Sequence, residues 1–148
     1  MLAILKRSTG HSRKREDGQA LVEFALVIPI FLLVLFAIVD FGMAFHAWIT
    51  VTNSAREGAR IGSVHAPAAT IEQRVRDTTD TLDQGNLTVS VSNADDQGGQ
   101  PGESVVVDVS YDYPLIVPLA GLLNIVSLGA VSMPDTVTVG SIADMRLE

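Results

Sequence analysis

The sequence contains no cysteine, which excludes disulfide bonds, thiolate metal sites, a cysteine nucleophile and lipidation on a cysteine. Positive charge is scarce beyond the N-terminal segment, because residues 19–148 hold five basic side chains against fifteen acidic ones. No basic stripe is therefore present to neutralise nucleic-acid phosphates, and we expect no nucleic-acid partner. With 148 residues, the chain has room for one small domain but not for a two-domain enzyme.

The sequence also lacks a catalytic constellation. Its histidines, His11, His46 and His65, are far apart, and none lies near a candidate nucleophile and acid in the sequence. The loop NADDQGGQPGE at residues 93–103 has carboxylate oxygens but lacks the ligand spacing of a calcium-binding loop. We therefore predict no enzyme activity, no cofactor and no metal site.

A long apolar run is the dominant feature of the chain. Residues 24–39 carry no charge, and the apolar character continues past Asp40 to Trp48. About 25 helical residues span about 37 Å, which exceeds a hydrocarbon core of about 30 Å. The run predicts a single membrane-spanning helix, with Phe41, Phe45 and Trp48 as an aromatic belt at the far interface.

The charge distribution predicts the orientation of this helix. Residues 1–18 carry a net charge of +3, whereas residues 19–148 carry a net charge of −10. Basic flanks stay on the cytoplasmic side of a membrane, so the C-terminal part should be extracytoplasmic. We predict a basic leader at 1–18, a helix with an extracytoplasmic extension at 19–64, and a small extracytoplasmic domain at 65–148.

The boundary between leader and helix carries a processing motif. Cleavage after Gly18 would make Glu23 the fifth residue of a chain that starts at Gln19 with the apolar helix. This G-x-x-x-x-E arrangement resembles the cleavage motif of type IV prepilins. The resemblance implies that a prepilin peptidase cuts between Gly18 and Gln19.

Glu23 is a candidate for a role in assembly. A carboxylate in the first turn of a membrane helix costs free energy, so it is a functional candidate when a partner can be named. The free α-amino group of Gln19 after cleavage is such a partner, in the same chain or on a neighbouring helix. The resemblance to pilins implies that the carboxylate of Glu23 pairs with the N-terminal amine of another subunit. The alternative is a carboxylate that reaches the headgroups and is favoured by the helix dipole.

Three segments together resemble one family more narrowly. They are GQALVEFALVIPIFLLVLFAIVDFG from residue 18, NSAREGARIGS from residue 53, and ADMRLE from residue 143. They are similar to the TadE-like family of membrane-anchored, pseudopilin-like components of tight-adherence (Tad, Flp-pilus) secretion machinery. The resemblance implies residence in a bacterial cytoplasmic membrane and contacts with other pilin-like subunits and Tad assembly proteins. In this family the helix commonly carries a proline at the place of Pro29 and an acid near its far end, at the place of Asp40.

Alternatives remain open at these two positions. Pro29 removes a backbone donor and should kink the helix, either to adapt its packing in an assembly or as a tolerated membrane-helix proline. Asp40 is either an acid at the outer interface or the acceptor of a buried helix-to-helix hydrogen bond.

A face of small residues continues the helix beyond the membrane. Ser54, Gly58 and Gly62 recur every fourth residue, which permits close approach of another backbone. This face packs either on its own domain or on another subunit.

The remaining sequence predicts a small α+β domain. Ile71, Val75 and Leu82 form the apolar face of one further helix that ends at Gly85. Alternation of apolar and polar residues then predicts three strands, at 87–92, 105–113 and 137–147, in a mostly antiparallel sheet. The apolar segment 114–131 is too short and interrupted for a second span, and is either buried or exposed on a membrane or partner.

Two functions fit these features. The first is a membrane-anchored structural component of a pilus or secretion machine, which works by helix packing and subunit contacts. The second is an unprocessed, single-pass, membrane-tethered binding or sensor module. Cleavage after Gly18 and dependence on Glu23 distinguish the two.

Overall fold

A computed structural model describes residues 13–116, 121, 129 and 135–148. Its first element is a long helix, α1, which spans Arg13–Gly62 and contains Pro29. The described helix therefore includes residues 13–18, which the sequence assigns to the leader. The predicted leader otherwise lies outside the described residues.

The chain divides into two compact units, an N-terminal unit, Met1–Ile38, and a C-terminal unit, Val39–Glu148. The described part of the N-terminal unit is helical throughout, and most of its large apolar side chains are exposed. The C-terminal unit holds the remaining part of α1, a second helix and a sheet. Its core is the only part of the described chain where large side chains are fully buried.

The second helix, α2, spans Ala68–Thr78 and buries Ile71 and Val75. It ends well before the predicted end at Gly85. The hydroxyl groups of Thr78 and Thr79 both donate hydrogen bonds to backbone carbonyl oxygens one turn earlier. Both residues are β-branched and have low helix propensity, and the next residue, Asp80, is also a poor helix former.

Three antiparallel strands form one sheet in the order β1-β2-β3. They are β1 at Leu87–Ser92, β2 at Ser104–Pro114 and β3 at Thr136–Arg146. In the register, Val109 lies opposite Val89 of β1, and Val107 lies opposite Ala143 of β3. The predicted α+β fold with a three-stranded antiparallel sheet is confirmed.

The core of the C-terminal unit lies between the helices and one face of the sheet. Alternate residues of β2 point into it, as the period-2 pattern predicts. The stripe of α1 that faces the core has small residues, so the helix approaches the sheet closely. The buried apolar residues of the two helices and β2 are Ala47, Val51, Ala55, Ala59, Ile71, Val75, Val105, Val107, Val109, Tyr111 and Tyr113.

The apolar segment predicted at 114–131 is described only at its start and at two glycines. The backbone N–H of Leu115 donates to the carbonyl oxygen of Asp135 at 3.0 Å, so the chain leaves and re-enters the described structure at one place. Most of the segment lies outside the described residues. The prediction that it is either buried or exposed falls on those residues.

Candidate assembly helix and its anchor in the C-terminal unit

Glu23 has a polar partner within its own helix. The Gln19 side-chain amide donates to Glu23 Oε1 at 2.9 Å, and both residues are exposed. Their spacing of one helical turn makes this contact possible. A Cβ atom on Gly18 would meet no described atom within 4 Å, so the described fold does not itself require glycine there. These three residues therefore form a solvent-accessible or lipid-accessible group at the start of the apolar helix.

The N-terminal unit presents an apolar surface around Pro29. Phe24, Leu26 and Ile30 are exposed by 64%, 69% and 68%. Among the described residues, α1 is the helix long and apolar enough to cross a membrane, and its candidate span falls within Gly18–Gly62 with a mean hydropathy of 2.9. A soluble domain would bury such a surface, because exposing it to water costs about 25 cal/mol per Å².

Asp40 is buried inside its own chain. Its side chain is 2% exposed and accepts a hydrogen bond from the backbone N–H of Ile116 at 3.0 Å. The hydroxyl group of Tyr113 donates to the same oxygen at 3.4 Å. Burial, followed by the charge of Asp40, raises the pKa of Tyr113 above its ordinary value. Asp40 thus links α1 to the end of β2, a contact that the sequence did not predict.

The small face of α1 packs on the C-terminal unit itself. A Cβ atom on Gly58 would lie 2.8 Å from Val75 Cγ2, and one on Gly62 would lie 3.0 Å from Ile71 Cδ1. Ser54 is 1% exposed, and its hydroxyl group donates to the carbonyl oxygen of Val51. Of the two alternatives for this face, the structure shows packing within the chain.

The sequence of this helix matches a family model. A family model described as TadE-like protein matches residues 18–60. Residues 18–60 form a TadE-like segment. The match confirms the resemblance predicted from the sequence, and it covers less than a third of the chain. No curated protein and no solved structure matches the chain.

The TadE-like segment coincides with most of α1. It includes Gly18, Glu23, Pro29 and Asp40 and ends at Arg60, before α2 and the sheet. Together with one candidate membrane-crossing helix among the described residues, the match indicates a component related to the Tad pilus.

An ionic contact joins the end of the TadE-like segment to α2. Glu57 accepts hydrogen bonds from Arg60 at 2.8 Å in its own helix and from Arg74 of α2 at 2.9 Å. Both guanidinium groups are largely exposed, so each pair contributes little by itself.

The last residues of the chain pack beside the end of α1. His65, in a left-handed backbone conformation with φ of 64°, contacts the carbonyl oxygen of Glu148 at 2.8 Å and Asp95 Oδ1 at 3.1 Å. The Glu148 carbonyl, followed by the Asp95 carboxylate, raises the pKa of His65 above its ordinary value. Leu147 is 2% exposed, and its backbone N–H donates to Glu103 at 2.7 Å. Leu147 lies within the predicted third strand, whereas the contacts of His65 join residues too distant in the sequence for a local pattern to predict.

Among the described residues, no group of three or more histidine, aspartate and glutamate side chains is placed to hold a metal ion. The 93–103 loop instead uses its polar groups for turns. Asn93 donates to the carbonyl oxygen of Ser104, and the amide N–H of Ala68 donates to Asp96. The loop therefore connects β1 to β2 and contacts the start of α2.

Proposed function

We propose that the chain is a membrane-anchored, pseudopilin-like structural subunit of Tad/Flp-type pilus assembly or secretion machinery. Its role is structural and not catalytic. The observation that carries the proposal is the exposed apolar surface of the TadE-like helix, which begins with a single carboxylate at Glu23. Lipid covers such a surface before assembly, and other apolar helices cover it afterwards.

The proposed location is the cytoplasmic membrane of a bacterium, crossed once. The excess of basic residues before Gly18 supports a cytoplasmic N-terminus. The acidic C-terminal unit is then extracytoplasmic, where its surfaces are available to other pilin-like subunits and Tad assembly proteins.

The proposed maturation step is cleavage between Gly18 and Gln19 by a prepilin peptidase. The open space around Gly18 supports this step, because the glycine is not explained by packing among the described residues. Cleavage would remove the basic leader and create an α-amino group at the start of the apolar helix.

In the proposed assembly, the carboxylate of Glu23 pairs with the α-amino group of Gln19 on a neighbouring subunit. The neutral Gln19 amide satisfies part of the carboxylate in the uncut chain. An ammonium group is a stronger partner in a low-dielectric environment, because both members of the pair are charged. The pair would then set the relative height of two adjacent helices.

One observation favours the second candidate function, an unprocessed single-pass binding or sensor module. The 2.9 Å hydrogen bond from Gln19 already gives Glu23 a partner without any cleavage or neighbour. In that case the helix is a permanent anchor, and the C-terminal unit carries the function alone.

Photo-cross-linking in native membranes tests the assembly role. A photoreactive amino acid replaces Leu26, which is 69% exposed on the apolar helix. We expect adducts whose partner peptide comes from the apolar N-terminal helix of another subunit. In Glu23→Gln the adduct yield should fall about tenfold or more, because one charged pair is worth at least about 1.4 kcal/mol in this setting.

Glu103→Gln is the matched control, because Glu103 lies in a turn of the C-terminal unit and its side chain accepts only a local bond from Gln100 among the described contacts. Its adduct yield should equal that of the wild type. Adducts that are absent, or that form equally in Glu23→Gln, would favour the tethered module.

A further inference from the structure

The end of β2 and the start of β3 lie close to Asp40. The backbone N–H of Ile116 donates to Asp40 at 3.0 Å, and the backbone N–H of Leu115 donates to the carbonyl oxygen of Asp135 at 3.0 Å. The chain therefore leaves β2 and returns to β3 beside this residue of α1. The position of Asp40 along the axis of α1 therefore sets the level of Ile116 along the same axis. We call this level the height of a residue.

That height corresponds to the far membrane interface. By its place in the sequence, Asp40 follows an apolar run with about as many residues as a helix needs to cross a hydrocarbon core of about 30 Å. Phe41, the next residue, is 76% exposed. The rings of Phe45 and Trp48 lie 5.5 Å apart and are also exposed. Aromatic residues of this kind mark the interface between lipid and water.

Ile116 is exposed at the same height. Its side chain is 65% exposed, although its backbone N–H is bonded to a buried carboxylate. The sequence from 117 to 134 contains no charged residue, whereas the rest of the C-terminal unit is acidic. An exposed isoleucine at the start of an uncharged segment is suited to lipid and not to water.

We propose that Ile116 forms, with Phe41, Phe45 and Trp48, a lipid-contact surface that seats the C-terminal unit on the membrane that its own helix crosses. The inference rests on the proposed membrane anchoring of α1. The occupant is the interfacial region of the lipid bilayer, because the surface is continuous with the apolar helix at the height of its aromatic belt. Asp40 is then shielded from both water and lipid by Tyr113 and the backbone of Ile116.

Site-specific labelling tests this surface cleanly, because the chain has no native cysteine. The full chain carries one cysteine, labelled with an environment-sensitive fluorophore, and is reconstituted in phosphatidylcholine–phosphatidylglycerol vesicles. Spin-labelled lipids with the quencher near the headgroup or deep in the acyl chain report depth. Ile116→Cys leaves the backbone N–H in place, so its bond to Asp40 is retained.

Two further positions serve as controls. Ile142→Cys is matched in exposure, at 69%, but lies on β3 opposite Asp108, on the polar face of the sheet. Leu26→Cys reports on the anchor itself. We expect the Ile116 label to be quenched several-fold more by the shallow spin label than the Ile142 label, and the Leu26 label to be quenched by the deep one.

The outcomes separate the two proposals. Equal quenching at Ile116 and Ile142, with Leu26 deep in lipid, would overturn the lipid-contact surface alone. Absence of quenching at Leu26 would overturn membrane anchoring. An apolar environment at Ile116 that depends on protein concentration and not on spin-labelled lipid would show that a second copy covers the surface, and would also overturn the inference.

Discussion

Gly58→Leu is expected to unfold the C-terminal unit or destabilise it by about 3 kcal/mol or more. A Cβ atom at this position would lie 2.8 Å from Val75 Cγ2, 3.3 Å from Val107 Cγ1 and 3.4 Å from Ile71 Cγ2. These atoms belong to fully buried side chains of α2 and β2, so they have little room to move. Leucine would force α1 away from both elements.

Hydrogen exchange of the β2 amides, measured in detergent or vesicles, reports this loss without requiring a soluble chain. Gly42→Leu is the matched control, since a Cβ atom there would meet nothing within 4 Å and the position is in the same helix. We expect exchange in β2 to accelerate strongly in Gly58→Leu and to stay unchanged in Gly42→Leu. Equal protection in both variants would contradict the packing of the small face on its own unit.

Asp40→Ala should destabilise the C-terminal unit by about 2 to 4 kcal/mol, because hydrogen bonds to a charged acceptor contribute about 1.5 to 3 kcal/mol each. The change removes the acceptor of the Ile116 N–H and of the Tyr113 hydroxyl group. The Tyr113 hydroxyl group is buried, so water replaces its lost acceptor incompletely. Asp40→Asn keeps one carbonyl oxygen and should lose about half as much.

Chemical unfolding followed by circular dichroism, with amide exchange at Ile116, measures this effect. Asp112→Ala is the control: Asp112 is an exposed acid on β2 that accepts a hydrogen bond from Thr138 at 2.6 Å. Its replacement should change stability by no more than about 0.5 kcal/mol, as is usual for surface sites. Similar losses in Asp40→Ala and Asp112→Ala would show that Asp40 is not the anchor described above.

Local patterns in the sequence were sufficient for much of the fold. The uncharged run at 24–39 predicts a helix by length and hydropathy alone, and alternation of apolar and polar residues predicts the three strands. The predicted end of α2 at Gly85 lies beyond the observed end at Thr78, because the apolar spacing continues to Leu82 while Thr78, Thr79 and Asp80 are poor helix formers.

The candidate site was only partly accessible from the sequence. Asp40 stands out as an acid in an apolar run, but its partners at Tyr113 and Ile116 are 73 and 76 residues away. No local periodicity connects positions so distant. The small face on α1 was visible as a spacing, yet the same spacing suits packing on a sheet or on another helix. The contacts of Gly58 and Gly62 with α2 and β2 decide between them.

We propose above that cleavage after Gly18 converts the chain into a mature, pilin-like subunit. The most direct measurement is the intact mass of the protein recovered from its native membranes, for the wild type and for Gly18→Ala. The account predicts a wild-type chain that starts at Gln19 and a Gly18→Ala chain that keeps its leader. A wild-type chain that retains residues 1–18 would contradict it, and would leave α1 as a permanent anchor for the C-terminal unit.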